Sequence, residues 1–154
     1  ASNDLRLKVI FHLGSMALGL EDYRKARISF RNATSLVDQV GPIPWAWVGL
    51  GVSNMMLGEL KDADIALKRA VILDDTDPVT WGHIACLQVL CNNSAEASIA
   101  IKLALGNGLE CPDILPRLLA TIESSSFCDK ERSALKEIVR ERIDLVNGQL
   151  TIQD

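Results

Sequence analysis

A period of 34 residues constrains this chain more than any other feature. Trp47-x-x-Leu50-Gly51, followed by Gly58, Ala63, Leu67 and Ala70, recurs as Trp81-x-x-Ile84-Ala85, followed by Asn92, Ala97, Ile101 and Ala104. An earlier copy runs Ile10-x-x-Leu13-Gly14, then Tyr23, Ala26, Phe30 and Ala33, with three extra residues in the loop DQVGPIP ahead of the second copy. A repeat of this length is one supersecondary unit that cannot bury its apolar face alone, so neighbouring units must stack to share a core. The residue sizes fit helix pairs. Gly or Ala in one helix and Ala in its partner let two antiparallel backbones approach, while the large side chains fill the space between pairs.

Apolar spacing and end signals give eight helices in four antiparallel pairs: 3–19 with 21–37, 44–57 with 59–73, 78–91 with 94–105, and 112–124 with 129–147. Asp77 caps the helix that Pro78 opens, and Ser94 is placed as the cap of the sixth. No strand candidate competes, so the expected fold is all-α, an α-solenoid over 1–154 as a single domain. Repeats fall at 7–40, 44–77 and 78–108, with a divergent helical cap over 109–148 and a frayed tail over 149–154. In the last pair Ile114, Leu115, Leu118, Leu119 and Ile122 form one stripe. Leu135, Ile138, Val139, Ile143 and Val146 form another, opposite Lys130, Arg132, Lys136, Glu137, Arg140 and Glu141, and Gly148 ends the helix. A terminal repeat needs a polar outer face, which that charged helix supplies.

The helix opening at Pro44 poses a question. Between Pro44 and Gly58 only Ser53 and Asn54 are clearly polar, so no face would be reliably wet, and surface helices do not look like this. The run is also shorter than the roughly 20 apolar residues of a membrane span.

Composition removes other classes. With 48% hydrophobic and 23% charged residues in 154, the chain is neither disordered nor fibrous. A net charge of −4 argues against a nucleic-acid surface. No leader pattern opens the sequence, and Ala1 in place of Met reads as one piece of a longer protein. Cys86, Cys91, Cys111 and Cys128 form no CxxC pair and are too sparse for a secreted disulfide scaffold. They read as buried reduced thiols in an intracellular, cytoplasmic setting. The triplets Asn32-Ala33-Thr34 and Asn92-Asn93-Ser94 fall in a helix and at a cap, and read as chance glycosylation matches.

The copies resemble the tetratricopeptide repeat family, whose pattern runs W-x2-L-G-x2-Y, then A-x3-F, then A and P. YRKARISFRNA fits through Tyr23, Ala26, Phe30 and Ala33, with Ile10 in the Trp position. The second copy supplies Trp47, Leu50, Gly51, Gly58, Ala63 and Ala70, and the third Trp81, Ala97 and Ala104. Ala17, Asn54 and Gln88 stand where the family has an aromatic residue, and the resemblance covers residues 4–108. It implies that the first helix of each pair turns one side into a concave groove where ligands dock. Those positions fall on Lys8, Phe11, Ser15, Leu18 and Gly19, on Trp45, Val48, Val52, Met55 and Met56, and on Val79, Gly82, Cys86, Val89 and Leu90. An apolar groove would explain the second apolar face of the Pro44 helix. Adjacent methionines are adaptable and Trp is a favoured anchor, so the expected occupant is an amphipathic or apolar segment of a partner protein. The alternative is a structural segment of a larger scaffold, its groove filled in cis or by self-association. The family's clamp for terminal carboxylates needs Lys, Asn and Arg, whereas the matching positions hold Phe11, Ser15, Gly49, Val79 and His83. The resemblance therefore implies no chaperone-tail binding here.

Other chemistry is thin. His83 and Cys86 share a helix face with Cys91 beyond, but a zinc site wants four ligands and no second cluster is visible. His12 has no nucleophile motif, and GLGVSNMMLG lacks the strand and glycine spacing of a phosphate loop. The expectation is no enzyme, no metal and no cofactor. Arg24, Arg27 and Arg31 recur opposite Ala26, Phe30 and Ala33, a convex stripe that is either solvated or a second contact for an acidic protein or RNA.

Overall fold

The computed structural model describes residues 2–36 and 41–153. Among them are eight helices and no strand: α1 Ser2–Gly19, α2 Tyr23–Thr34, α3 Pro44–Met56, α4 Leu60–Leu73, α5 Pro78–Leu90, α6 Ser94–Gly106, α7 Ile114–Glu123 and α8 Asp129–Gln153. The fold is all-α, with helix pairs of the solenoid type. Two compact units result, Ala1–Asp75 and Thr76–Asp154.

In the first unit α1 packs on α2 and α3 on α4, while α2 also packs on α3 and α1 touches α3. Phe30 of α2 forms the joint. A Cβ added to Gly14 of α1 would lie 2.7 Å from its ring, and one added to Gly49 of α3 only 2.5 Å from it. Ala17 and Ala26 complete that cluster, with Leu18, Trp45 and Leu50 around it. On the other side of α3 a Cβ at Gly51 would meet Leu67 of α4 at 2.6 Å. Glycine is therefore the residue that lets α3 approach both neighbours, and the lack of a wet face follows: α3 buries Ala46, Gly49, Gly51, Val52, Ser53, Asn54 and Met55. Ser53 turns its hydroxyl inward, donating to the Gly49 carbonyl oxygen at 2.7 Å.

In the second unit α5 packs on α6 and α7, and α8 on α7 with a smaller contact to α6. Gly82 of α5 faces Ile114, whose Cγ2 a Cβ would meet at 2.8 Å. Two arginines of α8 stitch the unit through main-chain carbonyls. Arg142 donates to the carbonyl oxygens of Leu105 (3.1 Å) and Leu109 (3.4 Å) near the end of α6, and Arg132 to those of Ser125 (3.1 Å) and Phe127 (2.6 Å). Arg142 thereby adds a second donor to the Leu105 carbonyl oxygen, which already accepts from the Gly108 amide at 3.0 Å.

The first helices of the first three pairs, α1, α3 and α5, end in the same way. Glu21, Gly58 and Asn92 all take left-handed φ, 58°, 81° and 59°. In each case the following amide reaches back to a carbonyl five residues earlier: Asp22 to Ala17 at 2.8 Å, Glu59 to Asn54 at 2.9 Å, Asn93 to Gln88 at 2.9 Å. Gly and Asn suit this C-terminal motif, but a longer side chain there costs roughly 1–2 kcal/mol. Glu21→Gly is accordingly expected to stabilise the chain by about 0.5–1 kcal/mol, and Gly58→Ala to destabilise it by about 1 kcal/mol, read as urea midpoints at unchanged slope.

Several boundaries depart from the sequence reading. Left-handed Glu21 cannot begin a helix, so α2 starts at Tyr23, with Asp22 accepting from the Lys25 amide at 3.3 Å. That helix stops at Thr34; residue 37 and part of the DQVGPIP loop lie outside the described residues. Asn93, not Ser94, caps α6, through the Glu96 amide at 3.4 Å. Asp77 caps α5 as expected, accepting from the Val79 amide at 3.0 Å. Gly148 does not end the last helix, and the tail is helical to Gln153: a Gly without positive φ costs a helix about 1 kcal/mol but does not stop it. Of the four thiols only Cys86 is buried; Cys91, beyond the end of α5, and Cys128, just ahead of α8, are exposed.

Candidate functional site

The expected groove positions of the first unit sit on α1 and α3, two helices that touch along one side. Phe11 of α1 meets Trp45 of α3 edge to face, with centroids 5.1 Å apart and planes at 80°. Trp45 also reaches Phe30 at 6.3 Å, so the surface ring is seated on the core ring. Around this pair Leu7, Lys8, Phe11, His12 and Trp45 line a cleft of about 320 Å³. Phe11 and Met56 are each 40% exposed, and Leu18, Trp45 and Val48 are half-buried. Val52 and Met55 are buried, at 5% and 4%. Lys8, Ser15 and Gly19 are exposed.

In the second unit Val79 of α5 is half-buried, Cys86 and Val89 are buried, Leu90 is exposed, and Gly82 is buried against Ile114. His83 lies inside as well, and its Nδ1 has no hydrogen-bond partner. Burial, reinforced by the Arg117 charge and opposed by Asp77, lowers its pKa to about 4. Burial pushes the Cys86 thiol up to about 12 against the opposing Arg117 charge. Both groups thus rest in their uncharged forms, and a thiol held protonated is a poor nucleophile and metal ligand. Among the described residues no three His, Cys, Asp or Glu side chains converge, and no helix is long and apolar enough to cross a membrane.

Arg24 and Arg31 are exposed and Arg27 half-buried, on α2 opposite the buried Ala26, Phe30 and Ala33. On α8, Lys136, Glu137, Arg140, Glu141 and Asp144 line a shallow polar recess, and Glu123 of α7 pairs with Lys136 at 3.5 Å and Arg140 at 3.3 Å. Sequence reasoning missed a second apolar surface. Leu5, Val9, Leu13 and Met16 of α1 and Leu20 just past its end are all exposed, at successive spacings of four, four, three and four residues. That spacing is a helical stripe and was available as a signal, lying beside the groove positions of the same helix.

The family model for the cilia and flagella-associated protein 70 C-terminal domain matches residues 1–145. Two curated relatives, the cilia- and flagella-associated protein 70 of Macaca fascicularis and that of Homo sapiens, are each 25% identical over 119 residues. The matched stretch is 77% of this chain but only 11% and 10% of those relatives. A chain in a solved structure described as the CopN-Scc3 complex superposes with a TM-score of 0.57 at 24% identity, covering 76% of this chain and 67% of that one, a likeness of fold.

Proposed function

We propose, from the premise that this chain belongs to the cilia and flagella-associated protein 70 C-terminal domain family, that it is a non-catalytic tetratricopeptide module holding an apolar segment of a partner protein on the α1–α3 face. Domains of this type typically serve protein–protein interaction. The observation that carries the finer reading is the open aromatic cleft between Phe11 and Trp45, with Met56 exposed further along α3. A partly exposed aromatic pair backed by a core ring is rigid, and rigid apolar anchors dominate binding energy. An amphipathic helix with apolar residues at i, i+3 or i+4, and i+7 fits such a surface. The uncharged resting states of His83 and Cys86 suit packing rather than proton transfer, which supports a binding role. The relatives carry cilia and flagella in their names, which supports a partner from a ciliary or flagellar assembly.

Peptides selected on the wild-type chain for helical apolar binding are expected to bind Phe11→Glu at least about 30-fold more weakly, the weight of a hot-spot anchor. Arg24→Glu should leave them unaffected, and added salt should change little. Peptides that bind Phe11→Glu equally well, or acidic ligands lost in salt, would move the site to the Arg24, Arg27 and Arg31 face.

A second reading has its own support. Burial of Val52 and Met55 in α3 favours a groove on the first unit filled by the protein's own chain. Light scattering decides between the readings: a wild-type dimer that Met56→Glu splits means self-association, and a monomer in both cases leaves the Phe11–Trp45 cleft for a separate partner.

A further inference from the structure

The second helices carry an apolar row that the cleft does not use. Adding 37 and then 34 residues carries Ile28 of α2 onto Ile65 of α4 and Ile99 of α6. All three are open, at 58%, 56% and 58% exposure. One exposed isoleucine is ordinary, but the same residue at one register of three repeats is a pattern. At 100° per residue Ile28 stands about 170° from the mean direction of the buried Ala26, Phe30 and Ala33, and Ile65 about 150° from that of Ala63, Ala66, Leu67 and Ala70. Both therefore face away from the core of their unit. Ile65 keeps its exposure although the preceding pair is packed against its own through α2 and α3. The row is not a contact between repeats.

Cations surround it. Arg31, Lys68 and Lys102 follow each isoleucine by three residues, Arg24 and Lys61 precede the first two by four, and all are exposed. Those spacings share one helix face. Lys68 is engaged by Asp64 at 2.7 Å. Arg24, Arg31 and Lys61 have no acidic partner among the described residues. Within α2 stand four cations, Arg24, Lys25, Arg27 and Arg31, and no acid, and of these only Lys25 is paired, with Asp22 at 3.7 Å. A solvated helix face usually alternates in sign. In a chain of net charge −4, α2 is a local concentration of one sign, with guanidinium groups left to meet carboxylates from outside.

We infer that the outward faces of α2 and α4 form a second docking surface, for an acidic protein segment that sets apolar side chains among its carboxylates. The carboxylates meet Arg24, Arg31 and Lys61, as forked pairs where arginine is the donor, and the apolar side chains cover Ile28 and Ile65. Nucleic acid fits less well. Phosphates would satisfy the cations but leave both isoleucines bare, and these outward faces offer no aromatic ring on which a base could stack. The surface belongs to second helices and the Phe11–Trp45 cleft to first helices, so the two sites are separate.

The test uses three fluorescent probes of equal length: a repeating Glu-Glu-Leu-Glu peptide, the same peptide with serine in place of leucine, and oligouridylate. Each is titrated with the chain at low salt and followed by anisotropy. The leucine peptide should bind at least about tenfold more tightly than either other probe, because only it covers the isoleucines. Arg24→Glu combined with Arg31→Glu should weaken it at least about tenfold, as should added salt. Ile28→Ser combined with Ile65→Ser should bring it down to the level of the serine peptide, and Phe11→Glu should leave it unchanged. The four convex positions are exposed, and unchanged urea midpoints confirm that their variants stay folded. Equal affinity for the two peptides, tighter binding of the RNA, loss of binding with Phe11→Glu, or no binding of the leucine peptide would each overturn the proposal. Peptides selected on the cleft, measured on the Arg24→Glu, Arg31→Glu variant, keep their affinity whatever happens on α2, so the two sites stand or fall separately.

Discussion

Phe30→Ala is expected to lower the stability of the chain by about 3–5 kcal/mol, the usual cost of emptying a buried aromatic site. The ring is only 2% exposed and touches three helices at once: its own, α1 at Gly14 and α3 at Gly49, with Trp45 above it. Glycines lie at both contacts, and their backbones relax little towards the gap, so the upper part of the range applies. The converse change tests the geometry. Gly49→Ala puts a methyl 2.5 Å from the ring carbons and should cost about 1–3 kcal/mol by overpacking. Combined with Phe30→Leu, which shortens the obstacle, the double variant should be more stable than the sum of the two single losses by about 1 kcal/mol. Urea midpoints provide all four corners of the cycle. Additive losses would mean that the ring does not rest on Gly49.

Acidification from pH 6.5 to 4 is expected to remove up to about 3 kcal/mol of stability through one side chain, His83, since each tenfold difference in proton affinity between the folded and unfolded chain is worth roughly 1.4 kcal/mol. Burial first, then the Arg117 charge, lower its folded pKa to about 4, while Asp77 pulls the other way. Between about 4 and the unfolded value near 6.5, the unfolded chain binds a proton that the folded chain refuses, so stability rises with pH across that window. The contribution is complete above pH 6.5 and lost below 4. Carboxylates titrate in the lower half of the same range, so the readout is the difference between wild type and His83→Met in urea midpoints at pH 7 and pH 4.5. Because His83 Nδ1 has no hydrogen bond to lose, His83→Met should be nearly neutral at pH 7 and flatter towards acid. Parallel pH curves for the two proteins would refute the assignment.

Much of the fold was legible because repeat spacing and side-chain size are local facts. Gly14 and Gly51 fall at the small positions of the period, but each meets a large side chain of its own partner helix, Phe30 and Leu67, where the sequence reading sets small residues against small. The caps were half legible: Asp77 is followed at once by Pro78, whereas Asn93 and Ser94 are adjacent cap formers and only geometry chooses between them. Glu21 was misread as helical because nothing in its side chain announces a left-handed backbone; its register with Gly58 and Asn92 does. The candidate site was legible only as a face. Residue types could not say that Val52 and Met55 are buried while Phe11 and Met56 are open, because that depends on how deeply α3 sinks between its neighbours. The bare stripe on α1 went unread for a related reason, since Leu13 was already accounted for as a repeat signature.

The three matched left-handed turns have a practical side. Leaving α1, α3 or α5 requires one residue at a fixed place and two return hydrogen bonds, so the turn inside each of the first three pairs is a joint of fixed length, and an added residue there would break both bonds. The passage from the first pair to the second already carries three residues more than the repeat period demands. For anyone fitting a fluorescent reporter or a cleavage site to this protein, 37–41 is the segment to use, and 20–22, 57–59 and 91–93 are those to leave alone.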